Sequence, residues 1–147
     1  MPGLVLALTW PDSTWVLLDA NSRRAAFLED AVGELGLSGR AEVVAERAEV
    51  AGRAPELRGQ FDLVVARSFG PPPVTAECAA GFLQVGGHLV VSEPPEDEPS
   101  RWPVEGVTDL GLADHGRHGS VRVLRQVLPV DDRFPRRVGV AAKRPLW

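Results

Sequence analysis

The chain has 147 residues, 44% of them hydrophobic and 24% charged, the length and composition of one soluble globular domain with a substantial core. Its net charge of −4 argues against a protein that coats nucleic acid wholesale. No apolar run approaches the roughly 20 residues of a membrane helix.

Gly3 to Thr9, GLVLALT, reads as the end of a buried helix closed by Pro11 and Asp12. The stretch around it, MPGLVLALTWPD, has no basic segment and no small-residue cleavage site, so no signal peptide is expected. Thr14 to Leu18 is a short strand. Asn21 to Leu35 is helical, because Ala25, Leu28, Val32 and Leu35 recur at three- and four-residue spacing and Gly36 is a natural stop. Ala41 to Val44 and Phe61 to Ala66 are the next strands. Pro71 to Leu83 is a helix with prolines in its first turn, where a missing N–H costs little. It carries the only cysteine, Cys78, which is expected to be a buried inert thiol. One cysteine allows no internal disulfide and suits a reducing, cytoplasmic compartment. Gly86 and Gly87 turn the chain into a strand from His88 to Ser92. Glu93 to Pro99, EPPEDEP, is an acidic, proline-rich loop. The stretch from Pro103 to Gly119 is ambiguous, and Val121 to Val127 alternates as a late strand.

Strands and helices in this alternation predict an α/β protein with an open sheet. Doubly wound sheets begin with a strand feeding a glycine-rich loop, whereas this chain begins with a helix. A sheet lacking that central strand pairs its neighbours differently or leaves edges exposed.

Candidate ligand-binding residues stand at strand ends, where open α/β sheets hold their ligands. Asp19 closes the first strand; it either caps the following helix or takes both hydroxyls of an adenosine ribose. Ala48 and Glu49 follow the second strand, either as an adenine-contacting loop or as a solvated acidic one. Arg67 follows FDLVVA directly; it holds a carboxylate or phosphate, or pairs with Asp62 or Glu93. His115 and His118 have no cysteine or paired carboxylate at ligand spacing, so no metal site is expected. The tryptophans at 10, 15, 102 and 147 read as core or surface caps. The last fifteen residues, RFPRRVGVAAKRPLW, carry Arg133, Arg136, Arg137, Lys143 and Arg144 with no acid. They read as a stiffened, extended basic arm for phosphate contacts, or as a solvated tail.

The segments LLDANSRRAAFLEDAVGELGL, AERAE, FDLVVARSF, FLQVGGHLVV and RFPRRVGVAAKRPL, in that order, resemble the RsmG (GidB) family. The ARSF stretch and the basic tail are the more specific parts, and the likeness is weakest from Pro94 to Gly119. The resemblance implies a Rossmann-like class I methyltransferase sheet, in one partial domain over residues 1–147 with a basic arm at 133–147. It implies transfer of a methyl group from S-adenosylmethionine to guanine N7 of 16S ribosomal RNA, in the cytoplasm, on the RNA or a small-subunit precursor, with neither membrane nor metal. Asp19 would then hold the ribose, Ala48 and Glu49 the adenine region, and Arg67 the cofactor and guanine side. Gly3, within Pro2-Gly3-Leu4, would belong to the end of the family's glycine-rich motif. The preceding strand and first glycines are not in the chain, so an incomplete N-terminus is expected. Two other readings stand beside this one: a non-catalytic module that binds RNA or a partner, and a methyltransferase of small molecules. A nicotinamide enzyme has only the acidic strand end in its favour.

Overall fold

A computed structural model describes residues 2–95 and 101–147. The chain forms two compact units, one reaching to Ala48 and the other starting at Glu49.

The first unit contains α1 (Pro2–Thr9), β1 (Trp15–Leu18), α2 (Ser22–Glu34) and β2 (Ala41–Val44). The two strands pair in parallel, Trp15 opposite Ala41 and Leu18 opposite Val44. Ala7, Leu17, Leu28, Val32, Leu37 and Ala41 close a small core. Both ends of α2 are written in local chemistry. The Asn21 side chain accepts hydrogen bonds from the backbone N–H groups of Arg23 and Arg24, both at 3.1 Å, and so satisfies two donors that a helix start leaves orphaned. At the other end Gly36 takes a φ of +67°. The N–H of Gly36 reaches Gly33 O and that of Leu37 reaches Val32 O, the paired bonds of a Schellman stop. Leu37 and Val32 are both core residues, so the stop is also an apolar contact.

The second unit holds α3 (Ala48–Ala51, its first residue from the preceding unit), β3 (Phe61–Ala66), α4 (Pro72–Ala80), β4 (Leu83–Ser92), α5 (Val104–Asp109), β5 (Leu112–His118), β6 (Val121–Gln126) and α6 (Val140–Lys143). Its sheet has the order β3-β4-β6-β5: β3 and β4 are parallel, and β6 runs antiparallel to both β4 and β5. The core includes Leu83, Leu89, Val107, Leu110, Leu112, Leu124 and Phe134.

The α/β class is as expected, and its strands fall in a parallel pair and a mixed four-stranded sheet. β1 and β3 have one ladder partner each among the described residues. The stretch that is ambiguous in sequence forms α5 and β5. The strand is hard to read because LADHGRH is largely polar and lies at a sheet edge, with a register irregularity between Asp114 and Arg117. β4 extends further back than expected. Its ladder with β3 pairs Phe61 with Leu83, loops out through the two glycines, and becomes regular at His88. Residues 96–99 of the acidic loop lie outside the described residues.

A Cβ on Gly87 would stand 2.7 Å from the carbonyl oxygen of Phe61, a backbone atom that cannot swing aside. Gly87→Ala is therefore expected to destabilise the second unit by about 1–3 kcal/mol, as overpacking does, read as a lower midpoint in urea. Asn21→Ala should cost about 1 kcal/mol through removal of the cap; an unchanged midpoint would mean that the cap adds nothing to stability.

Candidate functional site

Asp19 follows the last residue of β1 and is not the cap of α2, since Asn21 fills that role. The carboxylate instead grips Arg24: Oδ2 accepts from Nε at 2.7 Å and Oδ1 from Nη2 at 2.9 Å. The Asn21 N–H adds a third bond to Oδ1 at 2.8 Å. Arg24's hydrogen bonds hold the Asp19 carboxyl below its ordinary value of 3.8; partial burial opposes this and the Asn21 N–H assists. The two partners differ in exposure, 12% of the Asp19 side chain against 66% for Arg24. The pair is bidentate, with its arginine end in water and its carboxylate end largely covered. Gly3, at the start of α1, has a packing reason to be glycine: a Cβ there would lie 2.9 Å from Leu17 Cδ2 and 3.8 Å from the Trp15 ring. The missing side chain lets helix and strand approach closely.

Ala48 and Glu49 open α3. Both are buried, so Glu49 is no solvated loop acid. Its Oε1 accepts the N–H of Gly139 at 3.0 Å, which ties the chain's last segment back to this helix. Glu49, Val50, Arg53, Arg137 and Val138 line a shallow, largely apolar cleft of about 400 Å³.

Arg67 is exposed immediately after β3 and has no ion-pair or hydrogen-bond partner among the described residues. Neither suggested acid engages it. Asp62 accepts from the Gln84 amide, and Glu93 accepts from Trp102 Nε1 at 3.1 Å while lying 3.6 Å from Arg101 Nε. The loop that follows puts Ser68 in the left-handed region, with φ 52°, and Thr75 Oγ1 donates to Gly70 O at 3.0 Å. A second cleft, about 300 Å³, opens beyond the carboxyl ends of β3 and β4, between Ser68, Phe69 and Gly70 on one side and Glu93, Arg101 and Trp102 on the other.

The expected extended arm is folded onto the second unit instead. Phe134 and Pro135 are buried, apolar anchors that an exposed tail would leave in water. Arg53 donates to Pro135 O at 2.6 Å and Arg133 O at 2.8 Å, and Arg58 donates to Phe134 O at 2.7 Å. Trp147 Nε1 donates to Arg101 O at 2.9 Å. Arg136 is committed inward: its backbone N–H and its guanidinium contact the fully buried carboxylate of Glu77 at 2.6–3.0 Å. Arg133 lies over the Phe134 ring at 4.7 Å, and Arg137, Lys143 and Arg144 remain exposed. Sequence reasoning missed Arg53, Arg58 and Glu77. A lone glutamate inside the apolar helix PPVTAECAA was the available signal, since a buried charge needs a partner.

His118 bonds the His115 carbonyl, and no group of three possible metal ligands gathers among the described residues. No helix of the described residues is long and apolar enough to cross a membrane.

The family model described as "GidB: rRNA small subunit methyltransferase G" matches residues 1–98, two thirds of the sequence. The chain belongs to the GidB family. Relatives named ribosomal RNA small subunit methyltransferase G are similar over 99% of the chain: 34% identical in Prochlorococcus marinus and 33% in Rubrobacter xylanophilus. The GidB-family chain spans 63% and 61% of the lengths of these relatives. In solved structures its fold resembles an O-methyltransferase family protein from Burkholderia thailandensis (TM-score 0.57, 21% identity, 84% of this chain and 46% of that one). A conserved hypothetical protein from Streptococcus pyogenes is similar at TM-score 0.58 and 21% identity, over 86% of this chain and 82% of that one. The fold is that of the class I methyltransferases, an α/β arrangement with a mixed sheet.

Two outcomes test this geometry. Because the folded-state pKa of Asp19 lies below 3.8, its pair with Arg24 stabilises above that pH and the contribution disappears as pH falls through the depressed value. Melting temperatures of wild type and Asp19→Asn should therefore differ at pH 6 and converge on acidification; a constant difference would refute the linkage. Glu77→Ala strands Arg136 and should cost about 3–5 kcal/mol, measured by denaturant unfolding. A cost under about 1 kcal/mol, the scale of a surface pair, would mean that Glu77 and Arg136 do not anchor the last segment.

Proposed function

We propose that this GidB-family chain serves transfer of a methyl group from S-adenosylmethionine to guanine N7 of 16S ribosomal RNA, in the cytoplasm, on the RNA or a small-subunit precursor. The observation that carries the reading is the family match together with Arg67, an uncommitted guanidinium at the carboxyl end of a parallel strand. The donor set at the other strand end suits the adenosine half of the cofactor: the Asp19 carboxylate would take ribose hydroxyls, with Ala48 and Glu49 beside the adenine. S-adenosylmethionine, when bound, supplies an electrophilic methyl on sulfur.

The chain's own residues have little proton chemistry to do. Guanine N7 carries a lone pair and no proton, so its methylation needs no general base. The protein's work is alignment of nucleophile and electrophile and exclusion of water. Arg67 would orient the base or a neighbouring phosphate. Arg133, Arg137, Lys143 and Arg144 would meet RNA phosphates, held on a folded segment rather than a loose tail; Arg136 would contribute by keeping that segment in place. The absence of a histidine or carboxylate dyad among the candidate site residues agrees with such chemistry.

A second reading, an RNA-binding module without transfer, is favoured by one observation: the Asp19 carboxylate already holds Arg24. Calorimetric titration with S-adenosylmethionine separates the two. Binding that Asp19→Ala abolishes supports transfer, and no binding supports the module. RNA affinity should fall steeply with salt. Replacing Arg137, Lys143 and Arg144 by Ala should flatten the log–log slope by about 1 for each phosphate no longer engaged. An unchanged slope would return these residues to solvated surface.

A further inference from the structure

We propose that the cleft beyond β3 and β4 receives the Watson–Crick edge of an unstacked guanine, read by Glu93 and Arg101 and stacked on Phe69; the proposal rests on the RNA-modifying reading above. Glu93 follows the last residue of β4, and its backbone N–H donates to Ser120 O at 2.9 Å, so its position is set by the sheet. Only 2% of its side chain is exposed. One carboxylate oxygen is oriented by the Trp102 indole N–H at 3.1 Å. The other faces Arg101 Nε at 3.6 Å, too far for a hydrogen bond. That Nε is itself buried and has no hydrogen-bond acceptor among the described residues.

The cleft wall therefore offers a carboxylate and a guanidinium side by side, an ion pair at 3.6 Å without a hydrogen bond between those two atoms. A buried donor such as Arg101 Nε left without an acceptor is uncommon and calls for an explanation. A guanine edge provides one. Its N1–H and N2 amino group are adjacent donors for a carboxylate, and its O6, next along the edge, is an acceptor for a guanidinium. Adenine presents the opposite pattern, a bare N1 lone pair and an amino group, and would set N1 against the carboxylate. The site thus rejects one purine by repulsion as well as selecting the other by bonding.

Phe69 stands at the lip of the cleft with half of its surface (51%) in water, the position of an aromatic platform for a splayed-out base. The volume, about 300 Å³, is at the small end of ligand pockets and fits a base better than a large ligand. Single-stranded RNA bases are commonly read in this way, on an aromatic face and a Watson–Crick edge. The pose also has a chemical consequence. N7 lies on the opposite, Hoogsteen side of the ring, so an edge held by Glu93 leaves the N7 lone pair turned away from the wall.

The test is a titration of the full chain with guanosine 5′-monophosphate and, separately, adenosine 5′-monophosphate, followed by amide and indole NMR shifts. Guanosine monophosphate should move the Trp102 indole N–H and the amides of Ser68, Phe69 and Gly70, while adenosine monophosphate at the same millimolar concentration leaves them in place. Shifts common to both nucleotides at Arg133 or Arg137 report the phosphate alone. Glu93→Gln, which still accepts from Trp102, should weaken guanosine monophosphate about tenfold, the order expected for one bidentate base contact. Phe69→Ala, at an exposed ring that the core does not need, should weaken it as well.

Equal response to the two nucleotides, or no response in the cleft, overturns the pocket. The wider reading is scored separately, by S-adenosylmethionine binding and methyl transfer to RNA. A silent cleft with intact methyl transfer leaves that reading standing without this pocket. A guanine-selective cleft with no transfer leaves a base-binding module.

Discussion

Glu77 and Arg136 set the terms for the second unit. A carboxylate with no solvent exposure inside an alanine-rich helix is costly unless its oxygens are paired and hydrogen-bonded. Arg136 meets that demand with its guanidinium and its own backbone N–H. Because the main chain is gripped along with the side chain, the pair fixes the path of the last segment as well as one rotamer. Arg53 and Arg58 then bond carbonyls at 133–135, and Glu49 bonds the Gly139 N–H. Four charged side chains are thus used to hold backbone, and the buried Phe134 ring sits among the anchors.

This anchoring decides which cations can work on a partner. A loose basic tail would offer all its charges at the entropic cost of ordering them on binding. The folded segment offers fewer, Arg133, Arg137, Lys143 and Arg144, already positioned. The same logic separates the two clefts. The one beside Arg137 is shallow and mostly apolar, whereas the one beyond β3 and β4 brings a buried carboxylate, a guanidinium and an indole N–H together. The latter is the one in which a buried donor lacks an acceptor among the described residues. Its membership in the candidate site follows from a general property of parallel strands, whose carboxyl ends leave side chains free beyond the last ladder bond.

Asp19 shows where strand-end reasoning succeeds and where it falls short. The position at the end of a buried parallel strand is legible, because the apolar run stops at an acid. The choice between cap and ligand hand is not, because both place oxygen near the same helix start. The structure introduces a third occupant, Arg24, five residues along and one helical turn up. Arg67 is the converse case: Asp62 and Glu93 are plausible partners by position in the chain, and both are engaged elsewhere.

What the sequence determined by itself was local and periodic. The strands at 14–18, 41–44 and 61–66, the helix over 21–35 with its Gly36 stop, and the α/β class all follow from apolar spacing and turn chemistry within a few residues, each end within one residue of the structure. What only the tertiary structure decided were pairings across long separations. Glu77 finds Arg136 59 residues away, Arg53 finds Pro135 82 residues away, and a segment that reads as an extended basic arm folds inward. The physical reason is that a charge is equally at home on a solvated face or in a satisfied buried pair. Composition cannot distinguish these, since the partner that makes burial tolerable is chosen by the fold.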